Sequence, residues 1–508
     1  MERNIDYEGL RNGSDIRGIA MENDEGPVTL TADAVRHLAA SFVLWLRGRN
    51  KDQNKELRIA VGRDSRLTGP ELAGAAFDGI SAEGGKPYDL GLASTPAMFM
   101  STVLGDSPFD GSIMITASHL PSHRNGMKFF SPDGGLEKED IGALTANAPD
   151  RVIEKTGVQA EKSGFMDEYT AFLRKKICDG VKASDYEHPL KGLHIIVDAG
   201  NGAGGFFADK VLKELGADTE GSLFLNPDGS FPNHIPNPEN KVAAGVIRDA
   251  TLKNKADLGI IFDTDVDRAG AVLPDGRELT RNDLIAVLSA IVIKEHPGTT
   301  IVTDSVTSDG LAAFIKGKGG RHRRFKRGYR NVINEAIRLN GEGVESDLAI
   351  ETSGHGALKE NYFLDDGAYL MVKLLTELGK GSSIRDMIAG LKEPEESAEI
   401  RFPVTASDVS GNGDRVLKLL TEKAETVPGW SLEKENYEGV RVNTDESHGD
   451  GWFLLRKSLH EPIMPLNIES GKKGGNVLMA EALLNVLKEA SGIELKPLED
   501  FVQNQKQS

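Results

Sequence analysis

Only one cysteine, Cys178, stands among the 508 residues. No intrachain disulfide can staple this chain, and a reducing compartment suits it. Basic residues are in deficit, with 60 Lys and Arg against 78 Asp and Glu, a net charge of −18. A nucleic-acid partner needs a dense basic face that releases phosphate counterions, so this balance speaks against one. Long apolar runs are missing as well. The longest, residues 284–293, falls short of the ~20 residues a membrane-crossing helix needs. The opening residues hold no apolar signal region, and low-complexity tracts and short repeats are lacking. Together these absences predict a soluble cytoplasmic protein without a membrane or nucleic-acid partner.

Glycine is plentiful, 57 residues in all, above the usual share of about 7%, which predicts many tight turns. The length predicts about three to five domains. Short apolar, β-rich runs alternate with helical patterns up to about residue 390. Strands are expected at 57–61, 112–115, 193–197, 258–262, 300–303 and 348–350. Helices are expected at 31–47, 165–177, 206–215, 283–294, 310–316, 331–339 and 367–378, with Thr31 as an N-cap and Gly216 and Gly379 at C-termini. This alternation predicts βαβ units and mixed or parallel sheets covered by helices. An acidic, proline-containing segment at 392–397 reads as a linker. Beyond it, strands near 399–404, 439–442 and 452–455 and helices at 414–424 and 476–488 predict a smaller α+β unit, ending in a frayed polar tail at 503–508. The fold class is therefore α/β: three successive mixed-sheet domains, 1–165, 166–277 and 278–395, then an α+β domain, 396–508.

Functional groups in such sheets gather where strands end. After the strand at 112–115 comes Thr116-Ala117-Ser118-His119-Leu120-Pro121, with Lys128 a little further on. Ser118 reads as a carrier of a group in transfer, with His119 and Lys128 supplying charge, or as a polar turn ended by proline. It is not a nucleophile elbow, because the flanking glycines are absent. After the strand at 258–262 comes Asp263-Thr264-Asp265-Val266-Asp267-Arg268. Alternate carboxylates in extended chain lie about 6–7 Å apart, and in a loop they can surround one hard divalent cation. Arg268 adds a guanidinium suited to a phosphoryl oxygen. The alternative is a solvated acidic turn. A calcium EF-hand is ruled out by Arg268 and Pro274 at its glycine and glutamate positions. After the strand at 348–350, Glu351, Ser353 and His355 offer an acceptor, a hydroxyl and an imidazole to a polyol, or form a capped turn. The segment Arg321–Arg330, with Lys326, Arg327 and Arg330, makes a basic cluster, either a phosphate contact or a solvated edge. After the strand at 452–455, Arg456, Ser458 and His460 suit a phosphate dianion, or close a charged hairpin. Arg17, within Ser14–Gly18, and the segment 62–66 are smaller sets of the same kind.

In this order the loops resemble those of the α-D-phosphohexomutase family, which includes the phosphoglucomutases and phosphomannomutases. Residues 116–128 are similar to its serine loop, Thr-Ala-Ser-His-Asn-Pro followed by Asn-Gly-x-Lys. Residues 263–268 resemble its metal loop, Asp-Gly-Asp-Gly-Asp-Arg, with Thr264 and Val266 in place of glycines. Residues 351–355 resemble its sugar loop, Glu-x-Ser-Gly-His. Residues 456–462 resemble its phosphate loop, Arg-Pro-Ser-Gly-Thr-Glu-Pro, with Lys457, Leu459 and His460 as departures.

The resemblance implies four domains around a central active-site cleft and a phosphoserine at Ser118. It also implies Mg²⁺ held by Asp263, Asp265, Asp267 and a phosphoserine oxygen. Hexose 1- and 6-phosphates of mannose or glucose would interconvert through a hexose 1,6-bisphosphate, which also serves as activator. Arg17, Arg268 and Lys128 would neutralise charge, and His119, Lys128 and His355 would be candidates for proton transfer. Glu351, Ser353 and His355 would hold the sugar, and Lys326, Arg456, Ser458 and His460 the phosphate. The protein would be a monomer or homodimer. Three alternatives compete: a phosphoglucosamine mutase, a silent sugar-phosphate-binding protein, and a haloacid-dehalogenase-type phosphatase using Asp263 as nucleophile, with Asp365 and Asp366 as its downstream acidic pair.

Overall fold

Apolar strands ending in polar loops organise the chain in the computed structural model, which describes residues 5–50, 52, 55–148, 151–458 and 461–507. The residues fall into two units: Met1–Thr280 with Ser353–Asp386, and Arg281–Thr352 with Met387–Ser508. Along the chain, three α/β segments with mixed sheets precede a fourth segment built on a five-stranded sheet.

The first unit opens on a mixed sheet in which Gly111–Ile115, Arg58–Arg63 and Lys86–Leu92 run parallel, while Arg124–Ser131 runs antiparallel beside Gly111–Ile115 and carries Asp15–Ile19 antiparallel on its other side. The helices Ala32–Arg49 and Gly69–Ala82 cover it. The first starts cleanly because the Thr31 side chain accepts the Ala34 N–H, satisfying a donor the helix itself cannot. Phe42, Leu38, Ile59, Val61 and Phe129 make its core. A second sheet pairs Ile195–Asp198 in parallel with Leu258–Phe262, which then folds back antiparallel on Ala269–Val272. The tight reversal between those two strands is the acidic loop. Residues 353–386 return to this unit as a hairpin, Gly356–Leu358 with Leu364–Asp365, and the helix Gly367–Gly379. That helix packs on Phe165–Val181, and Asp366 both caps it through the Tyr369 N–H and accepts the buried Tyr169 hydroxyl at 3.0 Å.

In the second unit, Thr300–Asp304, Arg321–Phe325 and Leu348–Ile350 run parallel. A five-stranded antiparallel sheet follows, ordered Glu396–Pro403, Ile463–Ser470, Gly451–Leu455, Val440–Thr444, Trp430–Leu432. Phe402, Phe453, Leu466 and Met479 centre its core. No helix among the described residues is long and apolar enough to cross a membrane.

Several elements differ from the sequence reading. The linker at 392–397 already contains the start of the strand Glu396–Pro403. The polar tail is helical, Lys496–Gln507, because Leu498 and Val502 lie one turn apart and are buried. The helix expected at 206–215 is a π-helix, Phe207–Leu212. Gly379 is the last helical residue, and the left-handed turn falls on Gly381 instead. The basic cluster begins as a strand, and Arg324 is spent on the carbonyls of Thr307 and Ser308.

Phe42 is fully buried and 5.1 Å from the Phe129 ring. Phe42→Ala should therefore cost about 3–5 kcal/mol, read as lost hydrogen-exchange protection in strand Arg124–Ser131 with the strands of the second unit unaffected.

Candidate active site

Ser118 follows the buried strand Gly111–Ile115 directly. Its own φ is +50°, a left-handed conformation that costs a residue with a Cβ about 1–2 kcal/mol. The conformation is held by hydrogen bonds from both sides: the Ser118 N–H donates to Thr116 Oγ1 at 2.9 Å, and Arg17 donates to the Thr116 carbonyl at 3.1 Å. It turns Ser118 Oγ toward the acidic loop, 3.1 Å from Asp263 Oδ2 and 3.3 Å from His119 Nδ1.

The acidic loop hangs from the fully buried strand Leu258–Phe262. Oxygens of Asp263, Asp265 and Asp267 lie within 4.8 Å of one another, and all three residues are buried. Two unit charges at this range repel by about 3–4 kcal/mol even at an effective dielectric near 20. Three positive groups oppose that repulsion. Lys128 sits opposite Met114 in the neighbouring antiparallel strand, which delivers its Nζ to 2.6 Å from Asp267 and 3.7 Å from Asp265. Arg268 Nε donates to Asp263 at 3.1 Å. Arg17 is tied to Asp15 at 2.7 Å and feels the charges of Asp265 and Asp267. Thr95 orients Asp265 twice, donating its hydroxyl to the carboxylate at 2.5 Å and its N–H to the carbonyl at 2.9 Å. Behind the loop the backbone passes very close: a Cβ on Gly367 would lie 2.6 Å from the Arg268 carbonyl carbon.

The trio divides by environment. Burial, then the charges of Asp267 and Asp265, push the Asp263 carboxyl well above its ordinary range. Burial pushes Asp267 upward too, but Lys128, His355 and Arg268 hold it below the usual carboxylate range. Asp265 Oδ1 and Asp267 Oδ1 are buried and have no hydrogen-bond partner among the described residues. Buried acceptor oxygens without donors are costly, whereas a hard divalent cation takes such ligands. The donor set fits one.

The two histidines take opposite charge states. Burial, with Arg268 and Arg17 nearby, pushes His119 down to about 2, so it is neutral beside Ser118. His355 Nδ1 lies 2.5 Å from Asp365. Burial works against its charge, but Asp365 and Asp267 raise it to about 9. Its backbone bridges that of Arg268, which places it alongside the acidic loop.

The first unit thus gathers Arg17, Ser118, His119, Lys128, Asp263, Asp265, Asp267, Arg268 and His355. Ser353 lies in the same unit, half-buried. Glu351, Lys326, Arg456 and Ser458 belong to the second unit. There Glu351 accepts the Gly328 N–H at 2.6 Å, Lys326 is exposed, and Ser458 accepts the Glu461 N–H at 3.2 Å. Arg456 is buried, its Nε without a hydrogen-bond partner among the described residues, and it feels Glu438, Arg327, Glu399 and Asp304. His460 lies outside the described residues.

Three participants were absent from the sequence reading of the site: Thr95, Thr116 as an acceptor, and Asp365 as the partner of His355. Thr95 acts across 170 positions, whereas Thr116 and Asp365 act locally, two and ten positions from their partners, with nothing in residue type to mark the contact. Segment 62–66, read as a minor anion contact, does something else: Arg63 pairs with Asp89 at 2.9 Å, and Arg66 is buried under the serine loop. Asp365 and Asp366 do not act as one acidic pair, because Asp365 serves His355 and Asp366 caps a helix.

The family description "Phosphoglucomutase/phosphomannomutase, alpha/beta/alpha domain I" matches residues 9–148, domain II matches 167–276 and domain III matches 280–393. The chain is 32% identical over 462 residues to a phosphoglucomutase of Neisseria gonorrhoeae, covering 90% of this chain and 92% of that one. It is 30% identical to a phosphoglucosamine mutase of Symbiobacterium thermophilum, covering 93% and 97%. The crystal structure of a phosphoglucomutase/phosphomannomutase family protein from Burkholderia thailandensis superposes with a TM-score of 0.76 at 27% identity, covering 95% and 97%.

The His355–Asp365 pair is testable by pH. Because His355 is raised in the folded state, the pair's contribution to stability is full below the unfolded histidine value of about 6.5 and is lost as pH rises through about 9. The His355 ring should titrate near 9 by NMR, and Asp365→Asn should lower that midpoint by about 1–3 pH units. A midpoint that does not move would show that Asp365 does not set the charge.

Proposed function

The chain belongs to the α-D-phosphohexomutase family, and we propose that it interconverts the 1- and 6-phosphates of glucose and mannose through a phosphoserine at Ser118. The observation that carries this reading is a strained, buried serine whose Oγ lies 3.1 Å from a carboxylate of a buried acidic trio. Asp263, Asp265, Asp267 and a phosphoserine oxygen would hold Mg²⁺, which would neutralise charge on the phosphoryl group in flight. The haloacid-dehalogenase-type alternative gives way to the family assignment.

Phosphoryl transfer needs positioning and charge neutralisation more than covalent assistance. As the sugar hydroxyl oxygen bonds phosphorus it loses its proton, while the Ser118 Oγ–P bond breaks and Oγ gains one. In the return step, when Ser118 Oγ attacks phosphorus and loses its proton, neutral His119, 3.3 Å from Oγ, suits the acceptor, and protonated His355 suits a donor to the departing sugar oxygen. Lys128, Arg268 and Arg17 supply fixed positive charge for the oxygens of the moving group. The hexose 1,6-bisphosphate so formed turns around and returns its other phosphate to Ser118. The same family resemblance assigns Glu351 and Ser353 to sugar hydroxyls, and Arg456, Ser458 and Lys326 to the phosphate that is not reacting. A phosphoglucosamine substrate is the second reading, supported by the similarity to the Symbiobacterium enzyme.

Ser118→Ala should lower turnover about 10³-fold or more with an unchanged circular dichroism spectrum; near-normal turnover defeats the phosphoserine route. Excess chelator should stop the reaction, and Asp265→Asn should raise the Mg²⁺ concentration needed for half-maximal rate. Activity indifferent to chelator would rule out the metal. The substrate class is set by kcat/KM for glucose, mannose and glucosamine phosphates with a trace of the matching bisphosphate. Glucose and mannose should lead, and a lead for glucosamine selects the second reading.

A further inference from the structure

Arg66 is the most heavily engaged side chain beside the serine loop, and it touches no carboxylate of the metal trio. It is 1% exposed, and all five of its N–H donors have acceptors. Nε donates to Asp64 at 3.2 Å, one terminal nitrogen to the carbonyls of Pro121 and Arg124 at 2.7 and 2.8 Å, and the other to those of Ser118 and Leu120, both at 2.6 Å. With no donor left over, it has none to offer a phosphate. Asp64 extends the lattice by accepting the Thr116 hydroxyl at 2.7 Å, and Thr116 Oγ1 in turn accepts the Ser118 N–H at 2.9 Å. Both carbonyl and N–H of Ser118 therefore end, directly or through Asp64, on one guanidinium. A planar five-donor fork suits such a job, and an ammonium with three donors does not.

We propose that Arg66, acting with Asp64 and Thr116, is a positioning residue for phosphoryl transfer, fixing the left-handed backbone that aims Ser118 Oγ. The proposal rests on the reading of Ser118 as the phosphoryl carrier. A displacement of the reacting atom by about 1 Å costs on the order of 100-fold in rate, so the loss should fall on kcat rather than on sugar-phosphate affinity.

The test uses the full-length enzyme, glucose 1-phosphate and a trace of glucose 1,6-bisphosphate. Arg66→Ala should lower kcat about 100-fold with KM changed less than about threefold, and added guanidinium should restore part of kcat. Arg66→Lys should remain impaired. Thr116→Val removes the acceptor of the Ser118 N–H together with the hydroxyl donor to Asp64 while leaving Arg66 in place, and should lower kcat in the same sense, which keeps the test decisive if Arg66→Ala does not fold. An unchanged kcat in Thr116→Val, or a raised KM at constant kcat in Arg66→Ala, overturns the proposal. Failure of the carrier reading itself is seen separately: wild-type enzyme would then acquire no phosphate on Ser118 from labelled bisphosphate, whatever the Arg66 variants do.

Discussion

Three carboxylates crowded within 4.8 Å of one another in a buried loop are the constraint to which the rest of the first unit answers. Left alone they would repel one another and protonate. Lys128, Arg268 and Arg17 keep most of that charge in place, each brought there by a different element. Strand register sets Lys128, the loop's own end sets Arg268, and the strand Asp15–Ile19 sets Arg17. Compensation is partial, which is why two carboxylate oxygens have no donor among the described residues and why the loop suits a divalent cation.

The same field separates two imidazoles that look alike in the sequence. His119 lies among cations and stays neutral, whereas His355 has Asp365 behind it and stays charged. Residue identity alone therefore assigns no proton role; the neighbours do. Val266 shows the cost of this arrangement. It is fully buried at φ +65°, where a β-branched side chain is seldom tolerated, in a loop position where family members usually carry glycine. The loop keeps its turn because Val266 is packed into the interior and its carbonyl accepts the Gly367 N–H at 3.1 Å.

Much of this was readable from residue order. The strands before the serine and acidic loops are uninterrupted apolar runs that stop at polar residues, so both loops were located with their chemistry. What escaped was whatever depends on distant chain segments meeting. Arg66 serves carbonyls more than 50 residues later, and backbone acceptors leave no mark in a sequence. Thr95 and Asp265 are separated by 170 positions. Only the first two residues of the strand Glu396–Pro403 fall in the expected linker, because Pro394 and the acidic run before them mask a strand start expected at 399. The terminal helix was missed because two buried apolar residues, Leu498 and Val502, sit in an otherwise polar stretch.

The first unit is discontinuous, closing only with residues 353–386. A nascent chain of 280 residues would already hold the serine and all three aspartates, yet it would lack His355 and the carboxylate that charges it. The Tyr169 hydroxyl would also lack its Asp366 acceptor, and helix Phe165–Val181 would lack its neighbour Gly367–Gly379. During synthesis on the ribosome, the last aspartate of the acidic loop thus precedes His355 by 88 residues of elongation, so the charged imidazole is the last of these groups to emerge.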